Sequence, residues 1–304
     1  MNTLLALVKR DTKLFFKDKG TFFTSLVTPL ILLLLYATFL AKVYRDSFVS
    51  VLGGLDLSLD IPDKLIDGCV GGQLMSSLLA VCCVTVAFCS NMLMVNDKVN
   101  GSIKDLTITP VKPSVMSMAY YISTAFSTLI VCVVAAAVSM VYLAFVGWYL
   151  TFTDILLIFS DVFMLVMFGT ALSSIINIFL SSQGQISAVG TVVSAGYGFI
   201  CGAYMPISQF SEVLQKVIAF LPGTHGTALL RLHAMRGAFS ELESLGVPKQ
   251  VVTEISNSLD CSVKMFGEYV SEPTMYAILG GSVVLLVILY ILIHNIRSNK
   301  KAKR

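Results

Sequence analysis

The chain has 304 residues, of which 56% are hydrophobic and 13% are charged, and its formal net charge is +3. A soluble domain carries about 25% charged residues, so the composition excludes an ordinary soluble protein. Lys and Arg gather in a few polar segments, so the net charge reflects membrane topology and gives no reason to expect nucleic acid as a partner.

Apolar segments long enough to cross a membrane as helices, which takes roughly 20 residues each, recur along the chain. They are about 21–41, 69–95, 115–147, 161–180, 184–204 and 273–294. Basic residues precede the first segment, separate the second from the third, and follow the sixth. By the positive-inside rule, this pattern predicts an all-α integral membrane protein with six transmembrane helices and both termini in the cytoplasm.

The first 20 residues predict an amphipathic helix that lies along the inner membrane surface. One arc of this helix is basic and carries Lys9, Arg10, Lys13 and Lys17. Asp11 and Asp18, seven residues apart, fall inside the opposite, apolar arc. Lipid contact does not explain two carboxylates there, so we expect them to face protein, in this chain or in a partner subunit.

The connection between the second and third spans contains a short helix of its own, at about 101–109. Ser102 and Asp105 have the spacing of a capping box, and Pro110 stops the helix from continuing. Ile103 and Leu106 share one face. The spacing leaves two interpretations open, a handle for a cytoplasmic partner or a plain connector.

Polar side chains inside the spans allow a functional and a structural interpretation. In the second span they are Ser76, Ser77, Thr85, Ser90 and Asn91. These either line a polar path or, more commonly, hydrogen-bond to their own backbone or to a neighbouring helix. Asp154 and Asp161 lie near the start of the fourth span, where we expect both to cap the helix.

The fifth span carries a small residue at every fourth position. The stripe consists of Gly190, Ser194, Gly198 and Gly202. It allows another helix to approach closely, inside the chain or at a subunit seam. The largest outer connection, 205–272, begins with an amphipathic helix ended by Pro222 and a second helical run to Gly237, before a small, net acidic subdomain.

No motif in the chain indicates catalysis, metal binding or nucleotide binding. His225 and His233 lack metal-ligand spacing and an apparent carboxylate orienter, so neither is a good catalytic candidate. A disulfide among Cys69, Cys201 and Cys261 is left open. We therefore expect no catalytic residue, no metal and no cofactor in this chain, and an energy-supplying partner.

Three segments, taken in order, resemble the membrane subunit of an ATP-binding-cassette (ABC) type-2 exporter along nearly the whole chain. The family's connecting helix is similar to VKRDTKLFFKDKGTFF, and its coupling helix is similar to NDKVNGSIKDLTITPVKP. The end of its fifth span and its re-entrant outer helices are similar to CGAYMPISQFSEVLQKVIAFLPGTHGTALLRLHAMRG, including Pro206, Pro222 and Arg231. The family usually has Glu-Arg where this chain has Asp97-Lys98.

The resemblance implies a transport subunit that has no nucleotide-binding domain and lies in the cytoplasmic membrane. Two such subunits, identical or different, would pair in the lipid bilayer, and each would sit on one ABC ATPase that binds ATP and Mg. The residues that couple to the ATPase would be Asp97, Lys98, Gly101, Ser102, Ile103, Lys104, Asp105 and Leu106. The connecting-helix residues would be Arg10, Asp11, Lys17 and Asp18. The small-residue stripe would lie at the subunit seam or the substrate pathway.

This resemblance divides the chain into four parts: a connecting helix (1–20), five spans with the coupling helix (21–204), extracellular re-entrant helices with a small subdomain (205–272), and a sixth span with a basic cytoplasmic tail (273–304). The expected function is outward transport of a substrate, and the sequence does not choose between peptide, drug, lipid and glycan. The alternative is a membrane sensor or scaffold that binds an extracellular peptide or drug. A membrane-embedded enzyme is disfavoured, because the spans carry no acid–base or metal constellation.

Overall fold

Helices make up nearly all of the described structure. The computed structural model describes residues 2–53, 61–109 and 111–302. The helices are α1 (Asn2–Lys17), α2 (Lys19–Leu35), α3 (Ala41–Gly53), α4 (Asp63–Val99), α5 (Ser102–Thr107), α6 (Pro113–Val146), α7 (Phe152–Phe179), α8 (Gln183–Ile200), α9 (Glu212–Ala219), α10 (Pro222–Ser244), α11 (Lys249–Ser258) and α12 (Glu272–Ala302). A π-helical turn, Tyr36–Leu40, joins α2 to α3, and a 3₁₀ turn, Ile207–Gln209, precedes α9. Strands β1 (Lys264–Met265) and β2 (Glu268–Tyr269) form an antiparallel hairpin that the sequence did not predict.

Several of these helices are long and apolar enough to cross a membrane. They are α4, α6, α7 and the part of α12 up to His294, and α1 with α2, bent by 71° at their junction, pass when taken together. The predicted fifth span, 184–204, becomes α8, which has 18 residues and is not among these candidates. The helical, multi-pass fold is confirmed, while the count of six spans stays a prediction.

Two segments predicted as outer connections are partly helical instead. The helical structure that begins with the first apolar run continues through the π turn into α3, beyond the predicted span of 21–41 and into the segment that separates it from the second span. Arg45 on α3 forms ion pairs with Asp63 (2.6 Å) and Asp67 at the start of α4, which holds the extension in place. The segment between the predicted third and fourth spans, 115–147 and 161–180, is also partly helical, because α7 already begins at Phe152.

Helix α4 is the centre of the bundle. In α4, 89% of the most apolar stretch is buried, compared with 11% in α12. A Cβ atom on Gly72 would lie 2.9 Å from the carbonyl oxygen of Ala234 in α10, and one on Gly169 of α7 would lie 2.8 Å from that of Cys83. Glycine at these positions therefore allows the helices to approach closely, which is what holds helices together in lipid. All seven cysteines are free and buried, so no disulfide adds to this packing.

The polar side chains of α4 mostly serve the structure. The hydroxyls of Ser76 and Thr85 donate to carbonyl groups of their own helix. Asn91 Nδ2 donates to the hydroxyls of Ser173 and Ser174 on α7, at 3.0 and 2.9 Å. For these three residues the structure supports the packing interpretation over a polar path.

Arg231 on α10 joins several elements at one end of the bundle, although its side chain is fully buried. Its guanidinium donates to the carbonyl oxygen of Gly202, which follows α8, and lies 3.5 Å from the carboxylate of Asp260, which follows α11. It also lies 3.5 Å from the hydroxyl of Ser77 on α4. The Asp260 carboxylate accepts a further hydrogen bond from the backbone N–H of Ile207, at 2.9 Å. One buried cation thus fixes the region that follows α8.

Arg231→Met removes this cation and leaves the Asp260 carboxylate buried without its partner. We expect the free energy of unfolding to fall by about 3–5 kcal/mol, measured by SDS titration in mixed micelles. Adding Asp260→Asn should restore part of the loss, because the amide carries no charge. Lys216→Met, exposed on α9, is the control and should change stability by about 0.5 kcal/mol or less. Equal losses in the single and double variants would contradict the ion-pair account.

Candidate functional site at the α5 end

A glycine sets the turn from α4 into α5. After α4 ends, Gly101 adopts a φ of 81°, in the left-handed region that glycine occupies without strain. Ser102 is then the first residue of α5, so Gly101 takes the cap position that the sequence assigned to Ser102. The hydroxyl of Thr109 donates to the carbonyl of Leu106 and closes the other end of α5. The side chain of Lys104 lies outside the described part of the structure.

Asp97, in the last turn of α4, ties α1 and α6 to the base of α5. Both terminal nitrogens of Arg10 on α1 donate to its carboxylate, at 3.0 and 3.3 Å. The hydroxyl of Tyr120 on α6 donates to the same carboxylate at 2.6 Å. Arg10 also contacts Asp11 at 2.7 Å. Because the guanidinium is a planar fork, this two-point contact fixes direction as well as distance.

Lys98, the next residue, fastens α7 to the same place. Its Nζ atom donates to the backbone carbonyls of Asn177 (2.8 Å) and Ile178 (3.2 Å) at the end of α7. The last carbonyls of a helix have no partner within the helix and carry its negative dipole end, so a cation is favourable there. Asp97 and Lys98 are therefore both engaged within this chain.

The predicted apolar anchors of α5 lie partly against the chain itself. Ile103 and Leu106 are half-buried and pack on a cluster that includes Tyr120 and Tyr290. Ile108, in the turn after α5, is 85% exposed, and Asp105 is also exposed. Ile108 was not among the predicted contact residues, although its position between α5 and the following prolines was a signal for a solvent-exposed turn.

The residues of the predicted connecting helix divide between interior and surface. Asp11 is 2% exposed, and burial raises the pKa of its carboxyl to about 6, against the lowering effect of Arg10. Asp18 caps α2 by accepting from the hydroxyl (2.7 Å) and N–H (3.2 Å) of Thr21, and these bonds lower the pKa of Asp18. Lys17 is exposed. The expectation that Asp11 faces protein is confirmed within this chain, whereas the same expectation for Asp18 is not met within this chain, because its side chain is exposed.

A lateral groove of about 980 Å³ lies between α2, α4 and α8. Its lining is mostly apolar and includes Met92, with interspersed hydroxyl groups such as those of Thr28 and Ser187. Near the bend between α1 and α2 it shares Asp18 and Asn96 with a smaller polar pocket of about 310 Å³ beside Arg10 and Asp97.

The predicted small-residue stripe divides into two parts. Gly190 and Ser194 line the lateral groove. Gly198 instead lies against the ring of Tyr204, where a Cβ atom would come within 2.2 Å. Gly202 follows α8 and has a φ of 72°, so it forms the turn towards Ile207. Only the first half of the stripe therefore faces the groove, while Gly198 and Gly202 contact this chain's own residues.

The two aspartates at the start of α7 have different roles. Asp154 takes part in the cap as the third helical residue, with Thr151 as the N-cap: its carboxylate accepts from the hydroxyl (2.6 Å) and N–H (2.9 Å) of Thr151, and its N–H donates back to Thr151 Oγ1. Arg236 on α10 donates to the other carboxylate oxygen at 2.7 Å. The same prediction for Asp161 is wrong, because Asp161 lies fully buried inside α7, beyond its first turns.

The view of His233 as an isolated histidine is also wrong. Its Nδ1 atom lies 2.6 Å from Asp161 Oδ2, and its Nε2 atom lies 3.2 Å from Glu272 Oε1 on α12. The hydroxyl of Tyr276 donates to the other oxygen of Asp161. In the sequence, the one sign of a functional role for Asp161 was that an ionisable side chain lay at membrane depth. Nothing in the spacing of residues 161, 233 and 272 could have joined them.

His225, by contrast, donates from Nε2 to the carbonyl of Ala219 (2.8 Å), a structural contact with α9.

Residues 2–233 match the protein family described as ABC-2 type transporter. The chain belongs to this family. The match extends from α1 through the α5 end and the lateral groove to His233 on α10. None of the curated proteins matches the chain in sequence. An ABC-2 domain is the membrane-spanning component of an ABC transporter and not its nucleotide-binding domain, so this chain is a multi-pass permease component.

Arg10 and Asp97 should be energetically coupled. In a double-mutant cycle of Arg10→Met and Asp97→Asn, we expect a coupling free energy of about 0.5–3 kcal/mol, measured by SDS titration in mixed micelles. Lys13→Met, on the exposed side of α1, is the matched control and should be additive with Asp97→Asn. Additive behaviour of the Arg10 pair would contradict the two-point contact.

Proposed function

We propose that this chain is the permease subunit of an ATP-driven exporter in the cytoplasmic membrane, powered by a separate ATPase that binds ATP and Mg. The observation that supports the proposal is that the end of α4, from which α5 starts, is bound to three other helices. Asp97 and Lys98 tie α1, α6 and α7 to the end of α4, immediately before α5. A displacement of α5 by a closing ATPase is therefore passed to several helices at once, instead of being absorbed by a flexible loop.

In this proposal α5 and the following turn insert into a groove of the ATPase. Ile108 and Asp105 are the exposed side chains available for that contact, while Ile103 and Leu106 support α5 from behind. An exposed apolar side chain that becomes fully desolvated is a typical source of binding free energy. Both chain termini and α5 then lie in the cytoplasm, and α10 lies on the outer side.

The lateral groove is the proposed substrate path, completed by a second permease subunit, identical or different. Exposed apolar residues such as Val192 and Phe199 on α8 are available for the second subunit. Among the groove's lining residues, Asp18 is the one charged side chain. A mostly apolar path with hydroxyl groups favours an amphiphilic substrate, such as a lipid, drug or apolar peptide, over a strongly polar glycan.

Ile108→Asp should uncouple the permease from its ATPase. The change places a charge in the desolvated contact without touching the packing under α5, so we expect at least about tenfold weaker ATPase binding. The measurement is binding of the purified ATPase to the permease in nanodiscs, together with substrate-stimulated ATP hydrolysis. Phe266→Asp, in the hairpin turn and 90% exposed, is the control and should change neither. Unaltered binding by Ile108→Asp at normal expression would rule out this contact.

Ser194→Phe should block the groove while leaving the ATPase contact intact. The new ring occupies space beside α2, so we expect transport into inverted vesicles to fall while ATPase binding stays normal. Ala188→Phe, on a different face of α8 and not part of the groove lining, is the matched control. If both variants transport like the wild type, substrate does not pass along this groove.

A further inference from the structure

The hydrogen-bond pattern around His233 requires more protons than a neutral imidazole supplies. Each ring nitrogen faces a carboxylate oxygen, Nδ1 facing Asp161 at 2.6 Å and Nε2 facing Glu272 at 3.2 Å. A neutral imidazole has one N–H, and an ionised carboxylate can only accept. Tyr276 uses its hydroxyl proton on Asp161 and cannot serve the Glu272 side. Both contacts are satisfied together only when the group holds one additional proton.

We propose that Asp161, His233, Glu272 and Tyr276 form a proton-binding site that locks α10 to α7 and α12. With the proton bound, an imidazolium lies between two carboxylates and donates to both. When the proton leaves, the neutral ring keeps one N–H. At the other ring nitrogen, a lone pair then faces a lone pair of the carboxylate oxygen, so this contact becomes repulsive. The ligand of this site is a proton, and its binding fastens three helices.

The two carboxylates differ in how readily they release the ring. Asp161 is fully buried, makes the shorter contact and is also held by Tyr276. The side chain of Glu272 is 41% exposed and makes the longer contact. Glu272 can therefore turn to water when the proton leaves, whereas Asp161 cannot. Loss of the proton frees the first turn of α12 from α10, and Glu272 is the route by which the proton exchanges with solvent.

The nearest cation on the same helix is already paired with a carboxylate outside the cluster. Arg236, one turn further along α10, is bound to Asp154 at 2.7 Å. Helix α4 meets the neighbouring Ala234 through Gly72, which has no side chain to titrate. Among the described residues, the ion pairs of His233 are those with Asp161 and Glu272. Binding of the proton is therefore governed by Asp161, His233, Glu272 and Tyr276.

Burial lowers the pKa of His233, but its hydrogen bonds and charge contacts with Asp161 and Glu272 raise it, and the raised value prevails. A group whose folded pKa is raised adds stability that is fully present below its unfolded pKa, about 6.5 for histidine. That stability is lost as the pH rises through the folded pKa. The lock is thus closed below the raised folded pKa of His233 and opens as the pH rises through it.

The lock also affects the end of the lateral groove. Arg231 lies two residues before His233 on α10 and holds Gly202, which follows α8. Helix α8 forms one wall of the groove. A change in how α10 is held therefore reaches that wall through the Arg231 contact. The proton site itself does not depend on the proposed export function, since its chemistry lies within this chain.

The direct test is nuclear magnetic resonance of the full chain in lipid nanodiscs with isotope-labelled histidine. The chain has three histidines, and His233→Gln assigns the signal of interest by its loss. We expect His233 to carry protons on both nitrogens at pH 7 and to titrate above the ordinary histidine range. A neutral His233 ring at pH 7 would overturn the proposal.

Thermal unfolding across pH provides a second test. In wild type we expect Tm to fall by roughly 2–4 °C as the pH rises through the titration of His233. In Glu272→Gln the amide N–H can donate to the neutral Nε2, so this fall should shrink and the His233 titration should move to lower pH. Glu268→Gln, an exposed change on β2, should follow the wild type. Identical profiles for wild type and Glu272→Gln would contradict the lock, and if Glu272→Gln does not fold, the wild-type titration decides.

Discussion

Lipid provides no hydrophobic force between helices, so this bundle depends on how closely other helices approach α4. Glycines supply the space on both sides of the contact, at Gly72 towards α10 and at Gly169 on α7. Asn91 adds hydrogen bonds from α4 to two hydroxyls of α7. The outcome is a central helix that is almost entirely covered, while α12 remains largely open to its surroundings. Every functional feature of the chain is positioned relative to that central helix.

At the α5 end, two consecutive residues of α4 hold different neighbours. Successive side chains on a helix point about 100° apart, so Asp97 reaches α1 and α6 while Lys98 reaches the end of α7. Asp97 accepts hydrogen bonds from a guanidinium and a tyrosine hydroxyl. Lys98 donates to the last carbonyls of α7, which have no partner within their own helix. Asp97 and Lys98, which the sequence assigned to the contact with the ATPase, thus bind to other helices of this chain. In the proposed coupling, the surface left for the ATPase is smaller and lies around Ile108.

At the opposite end, a single helix carries three buried ionisable side chains that reach different elements. His225 contacts the last residue of α9, Arg231 contacts Gly202 and Asp260, and His233 joins Asp161 to Glu272. Burying such groups is costly unless they are paired, and each of these three side chains makes at least one hydrogen bond or ion pair to a neighbouring element. The helix therefore acts as the connector between the spans and the region that follows α8.

The sequence by itself determined the features that depend on local spacing and composition. These are the helical membrane class, the amphipathic α1, the short helix after α4 and the cap at Asp154, all set by residues within a few positions of one another. Tertiary structure decided the partners of the charged residues and the division of the small-residue stripe between groove and turn. His233 meets carboxylates 72 and 39 residues away in the chain, and Arg10 meets Asp97 across 87 residues. No periodicity encodes such pairs, because they exist only where the folded helices bring their side chains together.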